Sequence, residues 1–206
     1  KITNLNELES VGTMGFRGEA LAAIHSVSEL TVLSRTAQQD HAMRLNGRSG
    51  ELQAAARALG TSVEVKELFY STPARRKFLK TDATELAHCV EAVRRHALAR
   101  PLVGFEIWHD GKLVEQWRSQ TGNEELDRRL ADVLGTDFLK NSVAVQFTKG
   151  NLHVFGRAGI PDVARARADH QFLYVNGRFV RDKVVTHAAR SAYEDVLHGH
   201  RQPVYA

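Results

Sequence analysis

The sequence has few of the residues that mark several common protein classes. It has one cysteine, Cys89, in 206 residues, which excludes an internal disulfide framework and a zinc site built from cysteines. No apolar run approaches the ~18 residues of a membrane helix. The sequence has no positively charged segment followed by an apolar stretch at its start, so no signal peptide is predicted. The ten histidines show neither HExxH nor paired metal-ligand spacing, so we predict no metal site. The lack of a long apolar run predicts no membrane contact.

The remaining composition is that of an ordinary globular protein. Hydrophobic residues make up 43% and charged residues 25% of the chain, which excludes global disorder. Lysine and arginine number 28 against 24 acidic residues, a small excess that matters for function only if it is clustered. The length predicts one or two domains. We expect a cytosolic protein and, because the sequence starts at Lys1 rather than at methionine, a piece of a longer chain.

Helix and strand patterns are mixed along the chain, which predicts an α/β (α+β) protein. The clearest helix is predicted over 85–99, where apolar residues recur at intervals of three and four. A second helix is predicted to be capped by Asn123 and to end at Gly135. A third amphipathic helix is predicted over 184–197.

Turn residues locate the predicted hairpins and one domain boundary. Asp110-Gly111 and Asn176-Gly177 are dipeptides typical of tight β-hairpin turns. Two further turn signals within 37–60 predict a hairpin or a mobile loop. The polar stretch 119–123 predicts a boundary between a domain of residues 1–118 and a domain of residues 119–206.

The segment Gly15-Phe16-Arg17-Gly18-Glu19-Ala20-Leu21 is the first candidate site. Two glycines at the start of a helix let the backbone approach a ligand closely, and the free N–H groups there attract phosphate. Glycine spacing by itself favours the alternative of a tight structural turn. Glu19 is compatible with a catalytic carboxylate or with a simple favourable charge in the first helical turn.

Two basic segments are the other candidates. Residues 75–80 hold four cations in six residues, which suits phosphate binding or, equally, a solvated basic turn. The predicted hairpin of residues 174–183 presents Arg178, Arg181 and Lys183 at spacings of two and three residues. That spacing suits a nucleic-acid backbone, although exposed cations are common on hairpins.

Four strings of residues, taken together and in order, resemble the N-terminal region of the MutL DNA mismatch repair proteins. They are residues 15–21, residues 60–65 with 68–69, the Thr-Pro-Ala-Arg-Arg-Lys-Phe-Leu of 72–79, and the Tyr-Val-Asn-Gly-Arg of 174–178. Their order and separations match along nearly all of the chain. The resemblance implies part of a GHKL (Bergerat) ATPase fold in 1–118, followed in 119–206 by a truncated domain of the ribosomal protein S5 domain 2-like fold.

The resemblance also implies an ATP site, with Mg²⁺, in the full-length protein. The implied ATP contacts are Lys1, Gly15, Phe16, Arg17, Gly18, Glu19, Ala20, Leu21 and Thr61. The sequence departs from the family pattern because no E-x-x-x-N, D-x-G-x-G or His-Pro-Ala-Lys string occurs in it. The resemblance implies that the glutamate and asparagine of E-x-x-x-N are the catalytic base and the magnesium ligand, and hydrolysis in this class needs a base to orient water and magnesium to hold the phosphates. We therefore predict an ATPase parent protein, no catalytic residue in these 206 residues, and no tight ATP binding by them alone.

The remaining implications concern partners and location. A family-like DNA groove, binding the backbone without sequence specificity, would use Lys80, Arg95, Arg178, Arg181 and Lys183. The resemblance implies a homodimer in the bacterial cytoplasm, associated with the nucleoid. It implies an adaptor that links a mismatch-recognition protein to a strand-nicking endonuclease and a helicase. Two alternatives stay open, namely another GHKL ATPase of topoisomerase or chaperone type, and, for this piece alone, a non-catalytic DNA-binding or interaction module.

Overall fold

A computed structural model describes residues 19–197 and 199–206. The chain divides into two compact units, Lys1–Thr81 and Asp82–Ala206. The candidate nucleotide contacts Lys1 and 15–18 lie outside the described residues.

The first unit is a small antiparallel sheet with two short helices. In chain order its elements are α1 (Ala20–His25), β1 (Glu29–Arg35), β2 (Ala42–Asn46), β3 (Leu52–Ala55), β4 (Gly60–Lys66) and α2 (Pro73–Arg76). The strand order is β3-β2-β1-β4, with Val32 opposite both Leu45 and Val63. The segment 37–60 contains the β2–β3 hairpin, which confirms the hairpin alternative predicted for it.

The second unit consists of helices and three antiparallel hairpins. In chain order its elements are α3 (Asp82–Ala99), β5 (Phe105–His109), β6 (Lys112–Trp117), α4 (Glu125–Leu134), α5 (Thr136–Lys140), β7 (Ser142–Lys149), β8 (Leu152–Gly159), a 3₁₀ turn (Pro161–Val163), β9 (Leu173–Val175), β10 (Arg178–Val180) and α6 (Lys183–Ser191). The strand pairs are β5–β6, β7–β8 and β9–β10. Both predicted tight turns are present, with positive φ at Asp110, Gly111, Asn176 and Gly177.

The core of the second unit joins its helices to the last hairpin. Leu98 of α3, Leu130 of α4 and Phe172 before β9 are buried against one another. The final residues close this core, because the Phe172 N–H donates to the Tyr205 carbonyl and the backbone groups of Arg157 and Ala206 bond to each other. Burial of these apolar side chains fixes the position of the β9–β10 hairpin on α3.

The compact units differ from the predicted domains. α3 and the β5–β6 hairpin belong to the same compact unit as residues 119–206, and the two compact units meet at Thr81 and Asp82. The physical reason is packing, since Leu98 is buried with Leu130 and Arg129 donates to the Pro101 carbonyl. A polar, turn-rich stretch shows where the chain turns but not which elements pack together. A domain division at 118/119 remains a prediction.

The helix bounds also differ in detail from the sequence-based predictions. α3 begins at Asp82, three residues before the predicted start, and α6 ends at Ser191 rather than at 197. Glu124 and not Asn123 occupies the N-cap position of α4, and it makes no side-chain capping bond. α5, directly after Gly135, was not predicted, because five residues are too few to show helical periodicity.

Candidate nucleic-acid interface

The β9–β10 hairpin is held against α3 by aromatic side chains. The Tyr174 hydroxyl donates a 2.8 Å hydrogen bond to the backbone carbonyl of Arg95. The Tyr174 and Phe179 rings meet edge to face at 5.8 Å between centroids, and Phe172 packs on Phe179 at 6.4 Å. These contacts therefore hold the two strands joined by the Asn176-Gly177 turn against α3.

Phe179 organises two of the predicted DNA-binding arginines. The guanidinium carbon of Arg95 lies over the Phe179 ring at 4.5 Å from its centroid, and that of Arg181 lies over the same ring at 5.8 Å. Cation–π contacts of this kind hold a guanidinium group in place without neutralising its charge. The Phe179 ring thus brings together the positive charges of Arg95 and Arg181. These two residues are 86 positions apart in the sequence and belong to separate elements.

Two adjoining cavities lie along this surface, with volumes of about 490 and 400 Å³. They share Arg181 and Thr186. The cations that line them are Arg94, Arg95, Arg181, Lys183 and Arg190. The carboxylates that line them are Glu91, Asp169 and Asp182. We call this surface the basic groove, since its cations outnumber its carboxylates.

Helix α6 forms one side of the basic groove. Asp182 caps it by accepting hydrogen bonds from the N–H groups of Val184 and Val185, each at 2.9 Å. Lys183, His187 and Arg190 follow at spacings of four and three, which places them on one face of the helix. Sequence reasoning identified Lys183 but missed His187 and Arg190, although this helical spacing was visible in the sequence.

The histidine in the larger cavity adds no charge at neutral pH. His170 lines that cavity together with Arg94 and Arg181. Burial, followed by the repulsion of Arg165, lowers the pKa of His170 below its ordinary value of 6.5. The positive character of the larger cavity therefore comes from its arginines.

The other two predicted DNA contacts lie elsewhere. Arg178 begins β10 opposite Val175, and the neighbouring Gly177 packs against the guanidinium of Arg100. Lys80 belongs to the first unit, whereas all residues of the basic groove belong to the second. The structure thus assembles Arg95, Arg181 and Lys183, with Arg178 on the same hairpin as Arg181.

The predicted nucleotide contacts are only partly within the described residues. Glu19 precedes α1, and Ala20 and Leu21 form its first turn, all three being exposed. Thr61 lies in β4, where its hydroxyl pairs with that of Ser34 at 2.8 Å. These positions leave the nucleotide assignment as a prediction.

Across residues 19–197 and 199–206, no helix has the length and apolar character needed to cross a membrane. In the same part of the chain, no group of three or more His, Cys, Asp or Glu side chains is arranged to hold a metal ion.

Comparison with solved structures identifies the class of fold. A crystal structure described as the N terminal domain of a DNA repair protein superimposes with a TM-score of 0.75 at 22% identity, over 97% of this chain and 64% of that chain. The Aquifex aeolicus MutL ATPase domain complexed with ADP superimposes with a TM-score of 0.67 at 23% identity, over 98% of this chain and 74% of that one. The chain therefore has the mixed α/β fold of these ATPase-domain structures, as predicted.

Comparison with curated sequences identifies the family. The MutL protein of Ralstonia nicotianae is 56% identical over 205 residues, which is 100% of this chain and 32% of that protein. The MutL protein of Herminiimonas arsenicoxydans is 49% identical over 100% of this chain and 34% of that protein. The family model for the DNA mismatch repair protein, C-terminal domain, matches residues 130–206. The chain belongs to the MutL family of DNA mismatch repair proteins, and it spans about a third of the length of these relatives.

Proposed function

We propose that the chain is part of an ATP-binding and ATP-hydrolysing, DNA-binding mismatch repair protein of the MutL type. The observation that carries this proposal is the 56% identity to a MutL protein along the whole chain. Likeness to an ATPase domain complexed with ADP supports nucleotide binding by the same fold. A topoisomerase or chaperone function is not favoured, because the relatives that match along the whole chain are MutL proteins.

The catalytic chemistry would be divided between this chain and other parts of the full-length protein. Within these 206 residues no E-x-x-x-N string supplies a base for water and a ligand for Mg²⁺. Glu19 and Thr61 would contact the nucleotide, and Mg²⁺ would supply positive charge to neutralise its phosphates. We expect the 206 residues alone to bind ATP weakly and to be inactive.

DNA binding would take place in the basic groove. Its cations are arginine and lysine side chains that reach phosphate oxygens, and such contacts hold the backbone without reading the base sequence. Arg178 of the hairpin would add a further phosphate contact, and Lys80 stays a separate predicted DNA contact in the first unit. Bound DNA would lie along α6 and the β9–β10 hairpin.

The role of the full-length protein would be that of a switchable adaptor. ATP binding would favour a homodimer, and the dimer would link a mismatch-recognition protein to a strand-nicking endonuclease and a helicase. Such a protein would work in the bacterial cytoplasm, where the nucleoid DNA is found. These partners follow from family membership, and the groove supplies the DNA contact.

The ATPase part of the proposal is tested by comparing the full-length protein with the 206 residues. ATP hydrolysis and ATP binding, measured by phosphate release and by calorimetry, should be found in the full-length protein and should be weak or absent in the 206 residues. Tight ATP binding by the 206 residues would contradict the division of the site. Absence of hydrolysis by the full-length protein would contradict the proposed activity.

The DNA part is tested by reversing the charge of Arg178 on the β9–β10 hairpin and of Lys183 in the basic groove. Arg178→Glu and Lys183→Glu in the full-length protein should weaken duplex binding, and each lost phosphate contact should reduce the slope of log affinity against log salt by ~0.9. Lys112→Glu is a matched control, because Lys112 is an exposed cation on the β5–β6 hairpin. Unchanged affinity and slope in both charge-reversal variants would refute the assignment of DNA binding to this surface.

A further inference from the structure

One carboxylate in the basic groove is bound to two of its arginines. The Oε1 atom of Glu91 lies 3.0 Å from Nε and 2.9 Å from Nη2 of Arg95. Its Oε2 atom lies 3.5 Å from Nη1 of Arg94. The three side chains are 25 to 30% exposed, so water screens this cluster less than it screens a pair on the open surface.

The contacts of Arg95 leave one part of its guanidinium group for other partners. Its Nε–Nη2 edge is occupied by Glu91, and its face lies on Phe179. An arginine binds phosphate most strongly when two N–H groups on one edge engage two oxygens. A phosphate that binds the Nε–Nη2 edge of Arg95 with two oxygens would therefore have to displace Glu91 from that edge.

A simpler role for Glu91 is helix stabilisation. Glutamate paired with arginine at i,i+3 and i,i+4 stabilises a helix by only ~0.2–0.5 kcal/mol per pair. That role would be independent of the groove. However, Glu91, Arg94 and Arg95 all line the larger cavity together with Arg181, so the negative charge faces the same space that a phosphate would enter.

We propose that Glu91 competes with DNA phosphates for Arg94 and Arg95 and so weakens the binding of nucleic acid in the basic groove. This inference rests on the proposed DNA-binding function of the same groove. In the free protein Glu91 neutralises part of the positive charge on α3. When DNA binds, a phosphate displaces the carboxylate from Arg95, and Glu91 then repels the bound backbone.

The test is Glu91→Gln in the full-length protein, because glutamine keeps the shape and one acceptor oxygen but removes the charge. Duplex DNA without a mismatch should bind about threefold to tenfold more tightly in ~0.1 M salt, since removal of a rim charge changes encounter and salt dependence. The salt slope should become steeper by up to ~0.9, the value for one more phosphate contact. A simple helix-stabilising role would leave the slope unchanged.

Glu124→Gln is the matched control. Glu124 also pairs with an arginine at i,i+4, namely Arg128 at 3.9 Å, and the substitution changes the net charge of the protein by the same amount. It should leave DNA affinity and slope unchanged. If both variants tightened DNA binding equally, net charge would explain the effect and the proposed competition would be wrong.

The double variant Glu91→Gln with Arg95→Gln tests whether the effect passes through Arg95. The gain from Glu91→Gln should shrink when Arg95 is absent, and a gain of undiminished size would overturn the competition. The charge reversals at Arg178 and Lys183 separate this inference from the proposed function. If they weaken DNA binding while Glu91→Gln has no effect, the groove stands and the role of Glu91 is refuted; if none of the variants has an effect, both are refuted.

Discussion

The hydroxyl group of Tyr174 donates a 2.8 Å hydrogen bond to the backbone carbonyl of Arg95. This bond joins β9 to the last turns of α3, beside the stacking of Arg95 on Phe179. It couples the position of the hairpin to the helix that carries Arg94 and Arg95. The geometry of the basic groove therefore depends on the packing between these two elements.

The first prediction concerns this hydrogen bond. Tyr174→Phe should lower the free energy of unfolding by about 1 kcal/mol, because the ring contacts remain while one partly buried hydrogen bond is lost. Chemical denaturation measures the change. Tyr70→Phe is the control, since the Tyr70 hydroxyl accepts a bond from Arg48 at an exposed site and its loss should cost less. If both substitutions lowered the free energy of unfolding equally, burial would not strengthen the Tyr174 hydrogen bond.

The second prediction concerns alkaline pH. Burial raises the pKa of Tyr174, Tyr193 and Tyr205 above the ordinary value of 10.0. The folded state therefore keeps protons that the unfolded state releases above pH ~10. Stability from these groups is fully present below that pH and is lost as the pH rises through the raised values.

Denaturation midpoints measured between pH 8 and pH 11 check this expectation. The midpoint should fall at the alkaline end, and Tyr174→Phe should fall less steeply because it has one titrating group fewer. A wild-type midpoint that stays constant up to pH 11 would show that the tyrosines are not held in their protonated form by folding.

The third prediction concerns the buried Arg129. This side chain is fully buried, and its Nη2 atom donates to the carbonyl oxygens of Pro101, Val103 and Arg118 at 2.9, 2.6 and 3.0 Å. Arg129→Ala should destabilise the second unit by about 3 kcal/mol or more, because it leaves a cavity and removes the donor for several carbonyls.

The neighbouring Arg128 provides the control for that substitution. Arg128 is exposed, donates to the Thr121 carbonyl and pairs with Glu124. Arg128→Ala should cost about 0.5 kcal/mol or less, as is usual for surface pairs. Urea denaturation of both variants distinguishes the two sites, and similar losses would show that Arg129 does not join these segments.

The fourth prediction concerns the cap of α6. Asp182→Ala should reduce stability by about 1 kcal/mol, because the N–H groups of Val184 and Val185 lose their acceptor. Asp182→Asn should stay close to the wild-type protein, since asparagine caps helices about as well as aspartate. Chemical denaturation gives the stabilities, and equal destabilisation by both substitutions would mean that charge, not capping, is what Asp182 contributes.

Much of the secondary structure could be predicted because it depends on local patterns. The spacing of apolar residues predicted α3. The Asn176-Gly177 dipeptide predicted the β9–β10 hairpin, whose turn has the expected positive φ values. Short elements such as α5 were missed because five residues do not show a period. The cap of α4 was assigned to Asn123 by residue preference, but the chain places Glu124 at that position.

The candidate site was only partly predictable, for a related reason. Arg178, Arg181 and Lys183 lie within six residues of one another, and their spacing on a hairpin indicated a basic surface. Glu91 was visible only as a polar residue of a helix, since nothing in the local sequence shows that it faces Phe179 and Arg181 across a groove. His187 and Arg190 required the helical face of α6 to be placed beside that groove.

The sequence by itself determined the family, the mixed α/β class and the hairpins, because ordered motifs, residue periodicity and turn residues are properties of the local chain. Only the tertiary structure decided that α3 packs with the later residues and that Arg95 and Arg181 share one aromatic ring. It also decided that Glu91 lines the groove together with Arg94 and Arg95. These relationships arise from the burial of Leu98, Leu130 and Phe172 in one core, which brings together residues far apart in the chain and cannot be inferred from spacing along it.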